Sequence, residues 1–444
     1  MRQQTSRRRF LGNLAAGTAG LGIPHLVSAS ALGRDGKPGA NDRIEIGLIG
    51  AGGMGRVNLR NCAQYPDVAV TGISDVWQPR LEAAVAQYKA SAKPYRDYRE
   101  MLQQPGLDGV IIATPPHWHA LQAVDACRAG KDVYIQKPMT LSIAESVAVV
   151  NAVKKHQRIS QVGTQIHAGE NFRRVVEFVR SGRLGKISVV RTFLVMNQGP
   201  EGIGSAPNTD PPKDLDWELW LGPYPMRPFN PLIVQSGSNR CSFLELGSWT
   251  PGMAPHILDL PYWALGLGFP SATSSAGGRF VIRDAGDAPD TQDALWRFPE
   301  LTMTWMMSLV NSYGFDLGSG KPARRLGIYF HGVNGTLYAN YDTYRVVPEG
   351  DRMKDASPPK PSIPPSPGHE REWLDCMRSR QQPSCSVFYH HPIDVAISLA
   401  MLSYRLGRTI HFDPVRQQIV HDQEAARLAK PDYRHPWKFP DEYL

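Results

Sequence analysis

"RIEIGLIGAGGMGRVNL" spans Arg43–Leu59 and is the strongest indication of the fold of the first half of the chain. The apolar residues before Gly50 predict a short buried strand, and the glycines that follow open into a helix. The turn reads G-x-G-x-x-G, with glycine at 50, 52 and 55. The first glycine permits a tight turn, the second lets a pyrophosphate approach the backbone, and the third lets the helix pack closely. The stretch therefore predicts a dinucleotide-binding site.

Asp75 completes this motif at the end of the second predicted strand, "VAVTGISD". We expect its carboxylate to accept hydrogen bonds from the adenosine ribose and to repel a 2′-phosphate, which favours NAD over NADP. Arg80 is close enough in sequence to leave NADP as the alternative. The cofactor contacts expected from the motif are Gly50, Gly52, Gly53, Met54, Gly55 and Asp75.

Strand and helix patterns alternate over residues 42–160, which predicts an α/β domain with a Rossmann-type, doubly wound parallel sheet. Over residues 161–415 the strands lengthen and few helices separate them. We therefore expect a second α/β domain with a large, open, mostly antiparallel sheet. Residues 416–444 are expected to form a tail that packs on the body. A Pro- and Gly-rich segment at 199–238 is rich in Trp and Tyr and predicts an ordered loop near the site.

The composition of the chain excludes several classes of protein. It has 444 residues, of which 42% are hydrophobic and 20% charged, as in a globular protein. Its net charge is +8, but no basic stripe carries interleaved aromatic residues, so nucleic acid is not an expected partner. Five scattered cysteines without a CxxC motif disfavour a disulfide framework and leave only a Cys376–Cys385 pair open.

The first 31 residues predict a twin-arginine signal peptide. Arg7 and Arg8 precede a weakly apolar stretch, and Ala29–Ala31 reads A-x-A, as at a cleavage site. The alternative is a disordered basic tail. Pro24 and His25 interrupt the apolar stretch, which is too short for a membrane span. We expect an exported protein, periplasmic or beyond, with no membrane span in the mature chain.

Several further motifs occur in a recognisable order: "TPPHWHA", "QKP", "VGTQ", "RSGRLGKI" and "HILDLPYWAL". From about residue 42 onward the chain resembles the Gfo/Idh/MocA family, and "DLDWELWLGP" and "YRHPW" resemble its exported bacterial branch. The resemblance implies a Rossmann domain, a second domain with a large open sheet and a homo-oligomer formed through that sheet. It also implies oxidation or reduction of sugars and cyclitols with NAD(P). A smaller group in the family, the NAD-dependent α-N-acetylgalactosaminidases, hydrolyses glycosides through a transient oxidation.

The family's usual Glu-Lys-Pro tripeptide is Gln136-Lys137-Pro138 in this chain. The resemblance implies that Lys137 is catalytic and lies beside the cofactor. Removing hydride from an alcohol carbon also requires the hydroxyl proton to leave, which a lysine of lowered pKa can accept. A solvated surface lysine is the alternative. Gln136 removes a negative charge beside Lys137, and Pro138 is a candidate for a cis peptide bond.

The family's second catalytic element is an aspartate followed four residues later by a histidine. His256 occupies the histidine position, but the aspartate position holds Gly252. We expect His256 to act as a general base, since imidazole titrates near neutrality, with Asp259 one helical turn later to orient it. A histidine buried in the core is the alternative.

Other polar residues follow the ends of predicted strands. By resemblance to the family's T-P-x-x-x-H loop, Thr114, Pro115 and His119 line the cofactor cleft. His117 and His119 form an H-x-H pair, but no third ligand accompanies them and residues i, i+2 on a helix point apart, so no metal is predicted.

Gln165 and His167 follow a strand and are candidate substrate contacts, alongside Asp259. Trp217, with Trp220 and Tyr224, either stacks on a sugar ring or packs in the core.

Together these features predict an exported NAD(P)-dependent oxidoreductase that transfers hydride to or from a secondary alcohol carbon of a sugar, glycoside or cyclitol. The first alternative is a redox-neutral, NAD-dependent glycoside hydrolase. The second is a binding protein of the same fold without catalysis. We expect NAD to be tightly bound, because no dinucleotide pool is expected outside the cytoplasm.

Overall fold

The computed structural model describes residues 42–313 and 324–444, so the predicted signal peptide at 1–31 lies outside the described residues. The first sheet has six parallel strands in the order β3-β2-β1-β4-β5-β6, which confirms the predicted doubly wound sheet. Its strands are β1 Ile44–Ile49, β2 Val68–Ser74, β3 Lys93–Tyr95, β4 Gly109–Ile112, β5 Asp132–Gln136 and β6 Ser160–Gly163. The last of them crosses the domain boundary predicted at residue 160.

The central strands are apolar because helices cover both faces of the sheet. β4 and β5 are buried at every position, as expected for parallel strands between helices. The strand order reverses between β1 and β4, so the loops that follow these two strands diverge and leave a crevice at the carboxyl ends. The covering helices are α1 Gly53–Ala63, α2 Gln78–Val85, α3 Tyr98–Leu102, α4 His119–Arg128 and α5 Ile143–His156.

The second sheet has ten strands in the order β14-β13-β12-β7-β10-β9-β8-β15-β16, with β11 paired to β7. β7 and β10 run parallel and the other pairs run antiparallel, which confirms the prediction of a mostly antiparallel sheet. Its strands are β7 Ile187–Asn197, β8 Ala272–Gly278, β9 Thr291–Arg297, β10 Thr302–Ser308, β11 Val310–Asn311, β12 Arg325–Gly332, β13 Gly335–Ala339, β14 Tyr344–Pro348, β15 Ile410–Asp413 and β16 Gln418–Val420.

Helices cover one face of this sheet. β9 alternates buried and exposed residues, and Trp296 and Trp305 are fully buried against the helices. The helices are α6 Glu170–Arg180, α7 Trp217–Leu221, α8 Pro231–Gln235, α9 Trp249–Met253, α10 Pro255–Leu265, α11 His369–Ser379, α12 Val387–Leu406 and α13 Gln423–Leu428. None of the helices in the described ranges is long and apolar enough to cross a membrane.

The chain returns to the first sheet near its end. Trp373 and Leu374 of α11 join the apolar core formed by β1 and α1. Tyr443 is buried in the cluster that lies under α4 and α5. Segments distant in sequence therefore support the strands that end at the crevice.

Candidate active site

A cavity of about 800 Å³ lies at the carboxyl ends of the parallel strands. That volume is typical of a site for a small molecule or cofactor. The first sheet contributes the loops after β1, β2, β4 and β5, and residues 219–253 form the opposite wall. The predicted residues on its surface are Gly50, Gly52, Gly53, Met54, Asp75, Thr114, Pro115 and Lys137.

The glycine turn has the backbone that a dinucleotide requires. Gly50 has φ +92°, and a Cβ there would lie 2.7 Å from the Thr114 backbone N. A Cβ on Gly55 would lie 2.1 Å from the Gly50 carbonyl oxygen. Gly52 and Gly53 face open space, because a Cβ on either would meet no atom within 4 Å. The amino end of α1 is therefore open to the cavity and fits a pyrophosphate group.

Asp75 is held in place by the backbone around it. Its carboxylate accepts hydrogen bonds from the Ala51 N–H at 2.7 Å and the Trp77 N–H at 2.9 Å. Burial raises the pKa of this carboxyl, while these hydrogen bonds and the charge of Arg80 oppose the shift. Arg80 stacks on Trp77 at 4.3 Å and donates to the Val234 carbonyl. Each Asp75 oxygen retains a lone pair for a ribose hydroxyl, and Arg80 lies in the same wall.

Thr114 and Pro115 line the cavity, whereas His119 is buried behind its wall. The His119 ring is buried, with Nδ1 2.7 Å from the Pro138 carbonyl oxygen and Nε2 2.9 Å from the Thr114 carbonyl oxygen. Burial lowers the pKa of His119 to about 4. The neutral ring has one N–H, which donates to one of these two carbonyls at a time. His119 thereby joins the loop after β4 to the turn that carries Lys137.

Lys137 reaches across the cavity to the opposite wall. It follows the last residue of β5, the Lys137–Pro138 peptide bond is cis, and Nζ donates to the Gly252 carbonyl oxygen at 2.8 Å. Burial is the main cause that lowers the pKa of Lys137 to about 8, and the charges of Arg240 and Arg324 contribute to this shift. The amine is therefore poised to take or release a proton near neutral pH.

His256 differs from the expectation that its imidazole titrates near neutrality. Burial lowers its pKa to about 3, and the charges of Lys137 and Arg324 act in the same direction. Its Nδ1 has no hydrogen-bond partner in the part of the chain that the structure describes. The ring is neutral at working pH and lies outside the described lining of the cavity.

Asp259 orients a different histidine from the one we predicted. Its carboxylate accepts hydrogen bonds from the Thr164 hydroxyl at 2.6 Å, the Tyr389 hydroxyl at 2.7 Å and His167 Nε2 at 3.0 Å. Burial alone would raise the pKa of Asp259, but His167 and His390 hold it well below its usual range. Both carboxylate oxygens accept hydrogen bonds from these groups, so Asp259 does not orient His256 as we predicted. Asp259 and His167 are buried and are not among the described cavity-lining residues.

Among the residues that the structure describes, one group of side chains is spaced like a set of metal ligands, and it lies in this same cluster. Ligand atoms of His167, Asp259 and Cys385 lie within 4.8 Å of one another. However, the Asp259 oxygens already accept the hydrogen bonds above, and burial raises the pKa of the Cys385 thiol well above its usual value. We therefore interpret the cluster as a hydrogen-bond network behind the cavity wall.

Cys241 lies beside Gly252, the position at which the resemblance implied an aspartate. A Cβ on Gly252 would lie 2.9 Å from Cys241 Sγ, which is closer than packed atoms approach. Both residues line the cavity. A larger side chain at 252 would require this thiol to move, which gives a physical reason for the glycine.

Gln136 belongs to a buried network that ends in a carboxylate. Its Nε2 donates to Asn58 Oδ1 at 2.7 Å, and Asn58 Nδ2 donates to Glu370 Oε1 at 2.9 Å. The negative charge absent at 136 is thus supplied nearby by α11. Sequence reasoning missed Glu370 because it lies more than 200 residues after the strand that it supports.

Two candidate substrate residues lie away from the cavity. Trp217 is 7% exposed and stacks on Trp220 with 4.7 Å between ring centroids, so it packs in the core of the loop region. Trp220, its neighbour on α7, lines the cavity instead. Gln165 has φ +63° and begins the turn Ile166–Ala168, outside the described lining. The 199–238 segment is ordered beside the site, as its aromatic content predicted.

Sequence comparisons agree with this geometry. The Gfo/Idh/MocA oxidoreductase family model, described as an NAD-binding Rossmann fold, matches residues 44–164, and the model of its C-terminal α/β domain matches residues 289–439. A myo-inositol 2-dehydrogenase of Thermotoga maritima is 28% identical over 33% of this chain and 44% of its own length. A glycosyl hydrolase family 109 protein of Shewanella baltica is 28% identical over 41% of this chain and 44% of its own. The chain thus aligns with less than half the length of these curated relatives.

Among solved structures, levoglucosan dehydrogenase in complex with NADH has a similar fold. Its TM-score is 0.57 at 18% identity, and the alignment covers 83% of this chain and 99% of that one. The two family models together match more than half of the chain, in the order of the two sheets described above. The chain therefore belongs to the Gfo/Idh/MocA family of oxidoreductases, whose NAD-binding Rossmann fold precedes a C-terminal α/β domain.

Proposed function

We propose that this protein is an NAD-dependent oxidoreductase that transfers hydride to or from a secondary alcohol carbon of a sugar, glycoside or cyclitol. The observation that carries the proposal is the Lys137 amine, whose pKa is lowered to about 8, in the same cavity as the open glycine turn. A cofactor cleft and a proton-transfer group in one cavity meet the needs of alcohol oxidation.

The chain's own residues supply the cofactor site in this proposal. Gly52 and Gly53 present open backbone at the amino end of α1, and Asp75 presents carboxylate lone pairs at the end of β2. A nicotinamide cofactor held by these residues would supply the hydride acceptor for alcohol oxidation and the hydride donor for the reverse reaction. NAD is favoured over NADP because the Asp75 charge repels a 2′-phosphate.

Lys137 moves the proton. In the oxidation direction its neutral amine takes the hydroxyl proton as the C–O bond becomes a carbonyl, and in the reduction direction its ammonium group returns that proton. The Gly252 carbonyl accepts one N–H at 2.8 Å and so fixes the orientation of the amine. His256 stays neutral and does not compete for the proton.

The relatives support a carbohydrate-like substrate. One is a myo-inositol 2-dehydrogenase, and a structural neighbour is levoglucosan dehydrogenase solved with NADH and L-sorbose.

The test is to assay a panel of sugars, glycosides and cyclitols with NAD and to compare wild type with Lys137→Ala. We expect turnover to fall about 10²-fold or more with NAD binding nearly intact. The exposed Lys186→Ala is the matched control, and wild-type turnover in Lys137→Ala would remove Lys137 from the mechanism.

A second candidate function is redox-neutral hydrolysis of a glycoside. The similarity to glycosyl hydrolase family 109 proteins, one of them named an alpha-N-acetylgalactosaminidase, favours it. The same cavity would serve, since Lys137 would move the proton in a transient oxidation. Release of a chromogenic aglycone without net oxidation of the sugar would favour hydrolysis, and an oxidised sugar with its glycosidic bond intact would favour the dehydrogenase.

Export and cofactor retention are linked in this proposal. Arg7 and Arg8 favour the twin-arginine route, which carries folded proteins and allows NAD to be loaded beforehand. A cofactor lost outside the cytoplasm would not be replaced, so the enzyme holds NAD tightly and regenerates it on the protein. An acceptor sugar, or return of hydride to the same sugar, would close the cycle.

A further inference from the structure

Positive charges line the cavity in two separate groups. Arg56, Arg80 and Arg96 lie at the end with the glycine turn and Asp75, and Arg240 and Arg324 lie near Lys137. This division follows from their electrostatic neighbours: Asp75 and Arg56 act on Arg80, whereas Arg240 and Arg324 act on Lys137. The two groups therefore serve different parts of whatever the cavity holds.

The first group is accounted for by the cofactor end. Arg56 is in the first turn of α1, where a pyrophosphate would bind, and Arg80 lies beside Asp75. The only acidic residues among the described cavity-lining residues are Asp75 and Asp97. Asp97 forms an ion pair with Arg99 and caps α3. Both acids therefore belong to this end of the cavity.

Among the cavity-lining residues of 42–313 and 324–444, no carboxylate other than Asp75 and Asp97 is available to balance the second group. Arg240 donates from Nη1 to the Gly237 carbonyl, and its Nε has no hydrogen-bond partner within the described chain. Arg324 is exposed and acts on both Lys137 and His256. Asp259, the acid that acts on His256, is buried and saturated by its own donors. Where the family has an aspartate, this chain has Gly252.

In a partly enclosed cavity the ammonium form of Lys137, Arg240 and Arg324 repel one another, and an anion bound between them would offset that repulsion. A guanidinium group matches the oxygens of a carboxylate, sulfate or phosphate with parallel N–H donors. We propose that the substrate carries an anionic substituent, which Arg240 and Arg324 bind next to Lys137. The inference rests on the proposed function and narrows its substrate class to acidic sugars.

The test is direct binding to NAD-loaded protein by calorimetry, which needs no turnover. The probes are matched pairs: glucuronate against glucose, galacturonate against galactose, and glucose 6-sulfate and glucose 6-phosphate against glucose. We expect at least one anionic member to bind about tenfold or more tightly than its neutral partner. The pair that shows the preference identifies the anion as carboxylate, sulfate or phosphate.

Variants assign that preference to the arginines. Arg240→Gln and Arg324→Gln should each remove most of the preference, and Arg240→Lys should keep part of it. The exposed Arg345→Gln, on β14, should leave it unchanged. Unfolding temperature and NAD affinity are measured for each variant, and Arg324→Gln provides a second route if Arg240→Gln fails to fold.

The outcomes separate this inference from the proposed function. Neutral sugars that bind as tightly as every anionic partner would overturn the inference, even if Lys137→Ala still abolishes turnover. A loss of NAD affinity in Arg240→Gln and Arg324→Gln with the sugar preference intact would also overturn it, because the arginines would then serve the cofactor. An anion preference in a protein whose turnover ignores Lys137 would instead contradict the proposed function alone.

Discussion

At the scale of single residues, Lys137 has an ordinary side chain whose chemistry is set by its neighbours. The Gly252 carbonyl orients the amine, burial disfavours its charge, and two arginines add to the effect. The same surroundings lower the pKa of His256 to about 3 and remove it from titration near neutrality. Of these two groups, only Lys137 is therefore expected to exchange a proton near neutral pH.

The pH dependence of the reaction follows from this assignment. The neutral amine is the base in alcohol oxidation, so the oxidation rate should rise with pH through about 8 and then level off. The reduction rate should fall over the same range, because reduction needs the ammonium form. Pre-steady-state rates in both directions measure this, and a rate of oxidation that does not change through that range would contradict the assignment.

Asp75 is the residue expected to set cofactor preference. Asp75→Asn removes the charge while keeping an oxygen acceptor for the Ala51 or Trp77 N–H, so the turn should survive. NAD binding should weaken and its advantage over NADP should narrow, since the repulsion of a 2′-phosphate is lost. Equilibrium titration with both cofactors measures this, with the exposed Asp342→Asn as control. An unchanged preference would mean that Arg80 or other residues decide it.

At the scale of elements, the turn Asn239–Ser242 packs against α9 at Cys241 and Gly252. Cys241 Sγ lies in the space that a side chain at 252, such as the aspartate implied by the resemblance, would enter. It also aims the Gly252 carbonyl at Lys137.

Restoring the family's aspartate should therefore destabilise the protein. Gly252→Asp forces a side chain into the space of Cys241 Sγ and should cost about 1–3 kcal/mol of unfolding free energy. Adding Cys241→Ala should recover much of that loss by making room. Gly268→Asp is the matched control, since a Cβ there meets nothing within 4 Å. Equal stability of Gly252→Asp and wild type in urea unfolding would show that the contact is not tight.

Gln136 joins β5 to α1 and α11 through Asn58 and Glu370. Gln136→Glu removes the donor to Asn58 Oδ1 and brings a second carboxylate into the network, so stability should fall by about 1–3 kcal/mol. Adding Glu370→Gln should restore part of it, and the exposed Gln381→Glu serves as control. The free energy of unfolding is also measured for Glu370→Gln alone. If Glu370→Gln lowers it by the same amount in wild type and in Gln136→Glu, the two positions are not coupled.

Local signals in the sequence were sufficient for the elements but not for their contacts. The glycine turn and the buried strands show in periodicity and in residues that are adjacent in the chain, and both sheets were predicted. Trp217 and Trp220 lie on one short helix, and only tertiary packing decides that Trp220 faces the cavity. Glu370 and Arg240 lie in segments that are distant from β5 in sequence and have no repeating pattern. Their interactions with β5 and Lys137 therefore could not be predicted from the sequence.

At the scale of the whole molecule, the cavity is built from both halves of the chain. The first sheet supplies the cofactor wall and Lys137, and residues 219–253 supply the facing wall. α11 then returns to the first sheet with Glu370 and Trp373. A site assembled in this way depends on the second domain for the orientation and pKa of Lys137.

The proposed reaction in this cavity is hydride transfer between bound NAD and a carbohydrate, with Lys137 moving the proton. The most direct measurement is a single turnover: NAD-loaded protein is mixed rapidly with sugars, uronates and cyclitols while the absorbance of the reduced nicotinamide is followed. We expect a transient in wild type that slows about 10²-fold or more in Lys137→Ala, although that variant still binds NAD. The same transient in both proteins, or no NAD binding by wild type, would contradict it.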